Sequence, residues 1–327
     1  MLYPMQFVPV LRDYLWGGRR LGEVLGKPLP ADKTAAESWE VVDHGDDQSR
    51  VANGALAGKT LGEIVREFPT ELFGKDQLDP RGQRRTSFPL LLKYLDCNRD
   101  LSVQVHPSDR YAAQLTPPDL GKTEAWYIVD AKPGSKIYAG LQAGVGRDEL
   151  ARAMAAGRTS EVLHILEPQP GDCVFIPAGT VHALGAGLLV AEIQQASDTT
   201  FRLFDWNRVD GQGNSRPLHV EQALEVTDYQ RGPVGVQSPA SAGGRWQRLV
   251  ACDKFQLHRA EGKGEWTVGD TPQLVILTVP RGSAVVHCDD AEYSLPTGGT
   301  LLLPACSGVA EIELNNRAST VLAMQLP

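Results

Sequence analysis

The sequence predicts a mainly β protein with a few helical inserts, and two patterns support that fold class. From about residue 88 onward, short runs rich in Val, Ile, Leu, Thr and Tyr alternate with turn residues, in a chain of 327 residues that contains 33 Gly and 22 Pro. Apolar residues at helical spacing are confined to a few segments. The strand-like runs include PLLLKYLD, LSVQVH, EAWYIVD, DCVFIPA, LLVAEIQQ, QLVILTVP, GSAVVHC and TLLLPA.

Three segments predict the helical inserts. Thr60–Gly74, Gly146–Gly157 and His219–Thr227 each repeat apolar residues every three to four positions. Because this spacing is scarce in the rest of the chain, we expect the helices to be inserts in a mainly β fold.

An internal similarity predicts two copies of one β unit. GDCVFIPAGTVH begins at Gly171 and GGTLLLPACSGV begins at Gly298, and each has a Pro-Ala pair at the same distance from its first glycine. The second copy has Val309 where the first has His182. Between the copies, the stretch 229–246 is rich in Gly, Pro and Ser, as linkers are. We therefore predict an N-terminal domain, 1–230, with the helical inserts and a polar site, and a C-terminal domain, 231–327, without a metal site.

Composition and charge exclude several classes of function. The formal net charge is −8, which disfavours a nucleic-acid partner because phosphate backbones recruit basic surfaces. The N-terminal stretch does not resemble a signal peptide, and no run of about 18 apolar residues predicts a membrane span. The five cysteines are scattered and form no C-x-x-C pair, so they predict neither a disulfide framework nor a thiolate zinc site. We expect a cytoplasmic protein.

A metal site is predicted around His182. Gly171, Pro177, Gly179 and His182 form the pattern G-x5-P-x-G-x2-H, which resembles the second motif of the cupin superfamily. That resemblance implies two cupin-type, jelly-roll β-barrels, with the histidine facing a metal inside the first. A lone histidine beside an apolar strand is otherwise more often a buried structural residue.

Three further residues are candidate ligands. Gln104 and His106 alternate with valines in LSVQVH, so both face one side of a strand. Glu124 precedes the apolar run AWYIV. The alternatives are a polar exposed strand face for the first pair and a solvated acid for Glu124. The four nitrogen and oxygen donors suit zinc, manganese, iron or cobalt, and we favour one zinc ion per chain at an open, catalytic site.

Several separated motifs resemble type I mannose-6-phosphate isomerase, also called phosphomannose isomerase, in its short bacterial form. They occur in the order of that family and extend over most of residues 1–230. The second half of the chain resembles the family less strongly, but it has the length and β character of the C-terminal cupin of the family. The motifs are WGG, AESWEV, LLKYLDCNRDLSVQVHPSD, GKTEAWYI, GDCVFIPAGTVHALGAG and EIQQASDTTFRLFDWNR.

The resemblance implies a zinc-dependent aldose-ketose isomerase that interconverts mannose 6-phosphate and fructose 6-phosphate through a cis-enediolate. It implies that Gln104, His106, Glu124 and His182 bind the zinc and that Arg202 is the active-site arginine. A guanidinium is always protonated and can stabilise an enediolate or a phosphate; the alternative for Arg202 is a surface ion pair with Asp198 or Asp205.

Other polar residues near these motifs are candidates for contact with substrate or for proton transfer. Lys122 and Ser102 flank the expected ligands and suit a phosphate or a hydroxyl group. Lys122 is otherwise a solvated loop lysine. The general base is left open among Glu192, Lys122 and a metal-bound water.

Two other functions are compatible with a cupin sequence. A dioxygenase would hold a redox-active metal, but Q-x-H replaces the commoner H-x-H pair and the polar residue usual after the motif histidine is missing from HALGAG. A non-catalytic sugar-binding cupin would bind without turnover. For the isomerase we expect a small sugar phosphate as the only class of partner, and a monomer or weak homodimer.

Overall fold

The computed structural model of the chain describes residues 2–79, 81–209 and 212–327. Strands dominate the described residues, which confirms the mainly β fold class. The helices are α1 Arg20–Glu23, α2 Leu61–Glu67, α3 Pro69–Phe73, α4 Asp109–Ala112, α5 Arg147–Ala155 and α6 Val220–Val226, with short 3-10 turns at Gly74–Asp76, Thr159–Val162 and Ala305–Ser307.

The strands are numbered in chain order. They are β1 Phe7–Val8, β2 Val10–Arg12, β3 Glu37–Val41, β4 Asp43–His44, β5 Asp47–Gln48, β6 Arg50–Val51, β7 Leu90–Cys97, β8 Val103–Val105, β9 Glu124–Ala131, β10 Ile137–Leu141, β11 Leu163–Leu166, β12 Cys173–Ile176, β13 His182–Leu184, β14 Leu188–Gln195, β15 Phe201–Phe204, β16 Ala240–Ser241, β17 Gln247–Ala251, β18 Gln256–Glu261, β19 Gly264–Val268, β20 Val275–Arg281, β21 Ala284–Cys288, β22 Ala291–Leu295, β23 Thr300–Leu303, β24 Ala310–Leu314 and β25 Thr320–Gln325.

The three predicted helical segments are helical, with one interruption. The segment Thr60–Gly74 is divided at Phe68, because Pro69 disfavours helical backbone in the residue before it and begins α3 instead. Thr60 caps α2 with its side chain, and Glu63 returns a hydrogen bond to the Thr60 backbone. No helix among the described residues is both long and apolar enough to cross a membrane.

The chain folds into two compact units, each of which draws on segments far apart in sequence. We call the unit formed by Tyr14–Gly18 and Leu95–Gln237 the site unit; the second unit combines the residues up to Asp13 with Arg19–Tyr94 and Ser238–Pro327. The chain passes between the units inside the predicted linker 229–246, while much of the N-terminal part belongs with the C-terminal part. The division into domains 1–230 and 231–327 stays a prediction.

The two units repeat one strand order. In the site unit, one sheet has the order β11-β10-β13-β8 followed by β15, and the other contains the order β12-β9-β14. In the second unit the matching orders are β22-β21-β24-β19 and β23-β20-β25. The repeat that GDCVFIPA and GGTLLLPA predict is therefore visible in the topology. Val309, in the position of His182, lies just before β24 and is 54% exposed.

The sheets are open, in contrast to the closed barrels expected from the sequence. The five-stranded sheet ends at β11 and β15, and the four-stranded sheet ends at β19 and β22. Closure requires every strand to pair on both sides, and within the described part of the chain these edge strands pair on one side only. The assignment of both units as cupin-type jelly rolls stays a prediction.

Candidate active site

One face of the five-stranded sheet carries a row of polar side chains. Val103 and Val105 of β8 pack in an apolar cluster with Ala183 of β13 and Phe201 of β15. Because side chains alternate along a strand, the intervening residues lie on the opposite face. Gln104 pairs in register with His182 on one side and with Arg202 on the other. The fold thus aligns three of the predicted site residues across neighbouring strands.

A glycine turn holds the two histidine segments together. The Gly179 N–H donates a hydrogen bond to the His106 carbonyl oxygen, 2.8 Å away. Gly179 has a φ of +88°, and a Cβ there would approach the Val226 carbonyl, so this position of the P-x-G-x-x-H motif requires glycine. Pro177 follows β12, where the strand ends before the turn. The motif therefore connects His182 to the strand that precedes His106.

Each histidine is oriented by a backbone carbonyl. The Nδ1 atom of His106 lies 3.0 Å from the Thr199 oxygen, and that of His182 lies 2.9 Å from the Thr180 oxygen. Since a carbonyl oxygen only accepts hydrogen bonds, Nδ1 carries the proton in a neutral ring, and the Nε2 lone pair is left to act as a ligand. This arrangement is typical of metal-binding histidines.

The other sheet of the site unit, which contains β12-β9-β14, contributes a carboxylate that lies close to both imidazole rings. Glu124 begins β9, and its two oxygens lie 3.3 Å from His182 Nε2 and 3.5 Å from His106 Nε2. All three side chains are buried. One donor atom from each residue lies within 4.8 Å of the others.

The electrostatics of this group favour a bound cation. Burial lowers the pKa of His182 and outweighs the opposing effect of Glu124, so the ring is neutral at pH 7. Its Nε2 lone pair then faces a carboxylate. Among the described residues, neither His182 Nε2 nor either Glu124 oxygen makes a hydrogen bond. Because buried polar atoms normally have partners, these residues fit a metal ion, with Gln104 beside them on the same face.

A tryptophan links this group to Glu192. Trp126 and Glu192 are opposite each other on β9 and β14, and the indole N–H donates a 3.0 Å hydrogen bond to the Glu192 carboxylate. The Trp126 ring also packs edge-on against His182, with centroids 5.2 Å apart. Trp126 was not among the residues predicted from sequence. Its position two residues after Glu124 on the same strand is the signal that could have identified it.

The remaining predicted residues lie at two places near the group. Lys122 is buried, with its Nζ 3.7 Å from a Glu124 oxygen, so it is not a solvated loop lysine. Arg202 is half-buried, and its Nε donates to the Ser102 hydroxyl at 3.3 Å, while its Nη1 donates to the Pro217 carbonyl at 3.0 Å. Burial and the neighbouring Arg216 lower the pKa of Arg202 without discharging a guanidinium at neutral pH.

Asp205 has two other arginine partners. Its carboxylate accepts hydrogen bonds from Arg208 and, in a bidentate arrangement, from Arg216 at 2.6 and 2.7 Å. In the described residues Asp205 forms ion pairs with Arg208 and Arg216, and the alternative of a surface ion pair between Arg202 and Asp205 is not observed there. Asp205 instead anchors the segment that follows β15.

Replacing Asp205 with asparagine should destabilise the protein by about 1–3 kcal/mol at pH 7, because Arg208 and Arg216 lose the negatively charged group that both contact. Burial alone would raise the pKa of Asp205, but the hydrogen bonds from Arg216 and Arg208 lower it overall. Because the pKa of Asp205 is lower in the folded than in the unfolded protein, its ionised carboxylate stabilises the fold above the unfolded pKa, which is about 4 for an aspartate. This stabilisation is lost as pH falls through the folded pKa. Urea unfolding at pH 7 and at pH 3 should show the difference between Asp205→Asn and the parent shrinking at pH 3; an equal difference at both pH values would contradict this assignment.

Comparison with known proteins identifies the family. The model of the phosphomannose isomerase type I catalytic domain matches residues 5–135. The probable mannose-6-phosphate isomerase GmuF of Bacillus subtilis is 37% identical, over 96% of this chain and 97% of its own length. The mannose-6-phosphate isomerase ManA of the same organism is 35% identical, over 98% of each chain. The crystal structure of the mannose 6-phosphate isomerase from Bacillus subtilis matches with a TM-score of 0.86 at 33% identity, covering 99% of both chains. The chain belongs to the type I phosphomannose isomerase family.

Proposed function

We propose that this chain interconverts mannose 6-phosphate and fructose 6-phosphate at a zinc site formed by Gln104, His106, Glu124 and His182. The observation that carries the proposal is the convergence of two buried imidazole Nε2 atoms on the buried Glu124 carboxylate. Mannose 6-phosphate is the substrate in the names of two relatives that match nearly the full length of this chain. Fructose 6-phosphate is the product that the family resemblance implies.

The chemistry requires a proton to move between C1 and C2 of the open-chain sugar through a cis-enediolate. When bound, zinc would supply a Lewis acid that polarises the sugar oxygens. Zinc accepts histidine nitrogen and carboxylate oxygen as ligands. The backbone carbonyl oxygens next to both Nδ1 atoms hold the rings in orientation, as is usual for histidines that bind a metal. An amide ligand from Gln104 would keep the site open for a substrate.

Two basic residues among those described provide positive charge near the proposed ligands. Arg202 lies in register with Gln104 and is held by Ser102, so its guanidinium would stabilise the negative charge that develops on the enediolate or the phosphate. Lys122, buried beside Glu124, would contact a substrate oxygen. These groups are fixed before substrate binds, which lowers the reorganisation required in the transition state.

The general base is Glu192, Lys122 or a metal-bound water, and Trp126→Phe tests the assignment to Glu192. The substitution keeps an aromatic ring against His182 but removes the N–H that stabilises the ionised Glu192 carboxylate. If Glu192 is the base, its pKa rises, the acidic limb of the kcat profile moves to higher pH, and kcat at pH 7 falls about 10-fold. An acidic limb at its original pH would exclude Glu192 and leave Lys122 or a metal-bound water as the base.

A coupled assay tests the proposed function. Purified protein should form fructose 6-phosphate from mannose 6-phosphate without consuming oxygen, lose the activity after chelation and regain it with Zn²⁺. Oxygen consumption would support a dioxygenase instead. Binding of the sugar phosphate without turnover, by metal-loaded protein, would support a non-catalytic sugar-binding role.

A further inference from the structure

The two histidines of the proposed metal site differ in how their orienting carbonyls are held. His182 uses the carbonyl of Thr180, which is two residues earlier in the chain. His106 uses the carbonyl of Thr199, which is 93 residues away in sequence. Thr199 lies in the segment 196–200, which joins β14 to β15 and is neither helix nor strand. The orientation of the His106 ring therefore depends on what holds this segment in place.

A carboxylate from another part of the chain holds Thr199. The Oδ2 atom of Asp119 accepts a 2.6 Å hydrogen bond from the Thr199 hydroxyl and a 2.8 Å hydrogen bond from the Ser197 hydroxyl. The Ser197 oxygen in turn accepts a 3.2 Å hydrogen bond from the Thr199 N–H. Thr199 is thus fixed through its side chain and its N–H, beside the carbonyl that faces His106.

Asp119 is suited to this role by its charge and by its own attachment. Hydrogen bonds to an ionised carboxylate are shorter and stronger than those between neutral groups. The second carboxylate oxygen accepts a 2.8 Å hydrogen bond from the Leu120 N–H. The Asp119 N–H donates to the Ala112 carbonyl at 3.1 Å, which ties the residue to the end of α4. The segment 196–200 is therefore anchored to a point outside the two sheets.

A second support reaches Ser197 from the end of β14. The side-chain amide of Gln194 donates a 2.7 Å hydrogen bond to the Ser197 carbonyl. This contact fixes the place where the segment leaves the sheet, two residues before Thr199. Removing the Thr199 hydroxyl would leave the Gln194 contact intact while releasing the carbonyl that orients His106.

We propose that Asp119 is a positioning residue that strengthens zinc binding through Thr199 and His106. This role rests on the proposed zinc site and adds a residue to its support. The Thr199 carbonyl holds the Nδ1 side of the His106 ring, so that Nε2 is directed at Glu124. Removing an outer hydrogen bond of this kind typically weakens metal binding by about 10–100-fold.

The test is the Zn²⁺ affinity of the metal-stripped full chain, measured by competition with a chelator of known affinity. Thr199→Val removes the hydroxyl but keeps the shape of the side chain, and it should raise the Kd for zinc by about 10-fold or more. Thr199→Ser keeps the hydroxyl and should retain the parental Kd.

Thr227→Val is the matched control. The Thr227 hydroxyl also donates a 2.6 Å hydrogen bond, to the Ala223 carbonyl at the end of α6. This variant should retain the parental Kd for zinc. A similar fall in Tm in Thr199→Val and Thr227→Val would report the lost hydrogen bond alone, whereas the Kd for zinc should separate the two variants.

Asp119→Ala tests the same link from its other end. It should raise the Kd for zinc by about 10–100-fold. Adding Thr199→Val to Asp119→Ala should raise the Kd no further, because both changes break one connection. If Thr199→Val does not fold, the comparison of Asp119→Ala with Thr227→Val decides the question.

Two results would overturn this role of Asp119. One is a folded Thr199→Val or Asp119→Ala variant with the parental Kd for zinc. The other is a double variant in which the two effects multiply, since Asp119 would then act on the metal by a different route. A parent chain that takes up no zinc would contradict the proposed zinc site itself, and with it this role of Asp119.

Discussion

Replacing His182 with alanine should abolish metal binding and lower kcat for mannose 6-phosphate by about 10³-fold or more. His182 is one of the two nitrogen donors that face Glu124, and no other histidine in the described residues belongs to this group. Its loss leaves the buried carboxylate with one imidazole. Metal content by elemental analysis and kcat by coupled assay, measured on the same preparation, check the result.

The control is His164→Ala on β11 of the same sheet, outside the metal group. This variant should retain both metal and activity. Thermal unfolding of His182→Ala should show a folded protein, because the apolar cluster behind β13 is unchanged. A folded His182→Ala with full metal content and parental kcat would contradict the site.

Replacing Arg202 with lysine should lower kcat by about 10²-fold while leaving metal content unchanged. Lysine keeps the positive charge but loses the planar group that donates to Ser102 and Pro217 at the same time. The remaining ammonium would lie in a less fixed position relative to Gln104 and His182. Steady-state kinetics should show the larger effect in kcat and the smaller effect in KM.

Arg147→Lys is the matched control for this substitution. Arg147 also donates to a backbone carbonyl, that of Leu224, but lies on α5 outside the polar row. It should retain parental kcat. If Arg202→Lys instead raised KM with kcat unchanged, Arg202 would contribute to binding alone rather than to the transition state.

The orientation of Gln104 on β8 can be predicted from local sequence, while the residues beside it on the neighbouring strands cannot. Alternation in LSVQVH predicts that Gln104 faces away from Val103 and Val105, and the apolar cluster shows that arrangement. Which residue lies opposite Gln104 depends on the pairing of β8 with β13 and β15. Strand pairing over such sequence distances is fixed by tertiary packing, so one sequence does not reveal it.

Other features were missed because they depend on long-range packing. The hydrogen bond from Trp126 to Glu192 needs the register of β9 with β14. The grouping of Arg19–Tyr94 with the C-terminal strands needs segments far apart in sequence to pack together. In contrast, the repeat could be predicted from the sequence, because two similar segments, each running from a glycine to a proline, occupy equivalent positions in the strand order that both units share.

We propose that one zinc ion, held where His106, Glu124 and His182 converge, is required for isomerisation. The most direct measurement is a Zn²⁺ titration of metal-stripped full-length protein, with the interconversion of mannose 6-phosphate and fructose 6-phosphate followed at each step. Activity should rise from background in proportion to added zinc and level off at one equivalent per chain. Full activity of the metal-stripped protein, or activity that does not respond to added zinc, would contradict it.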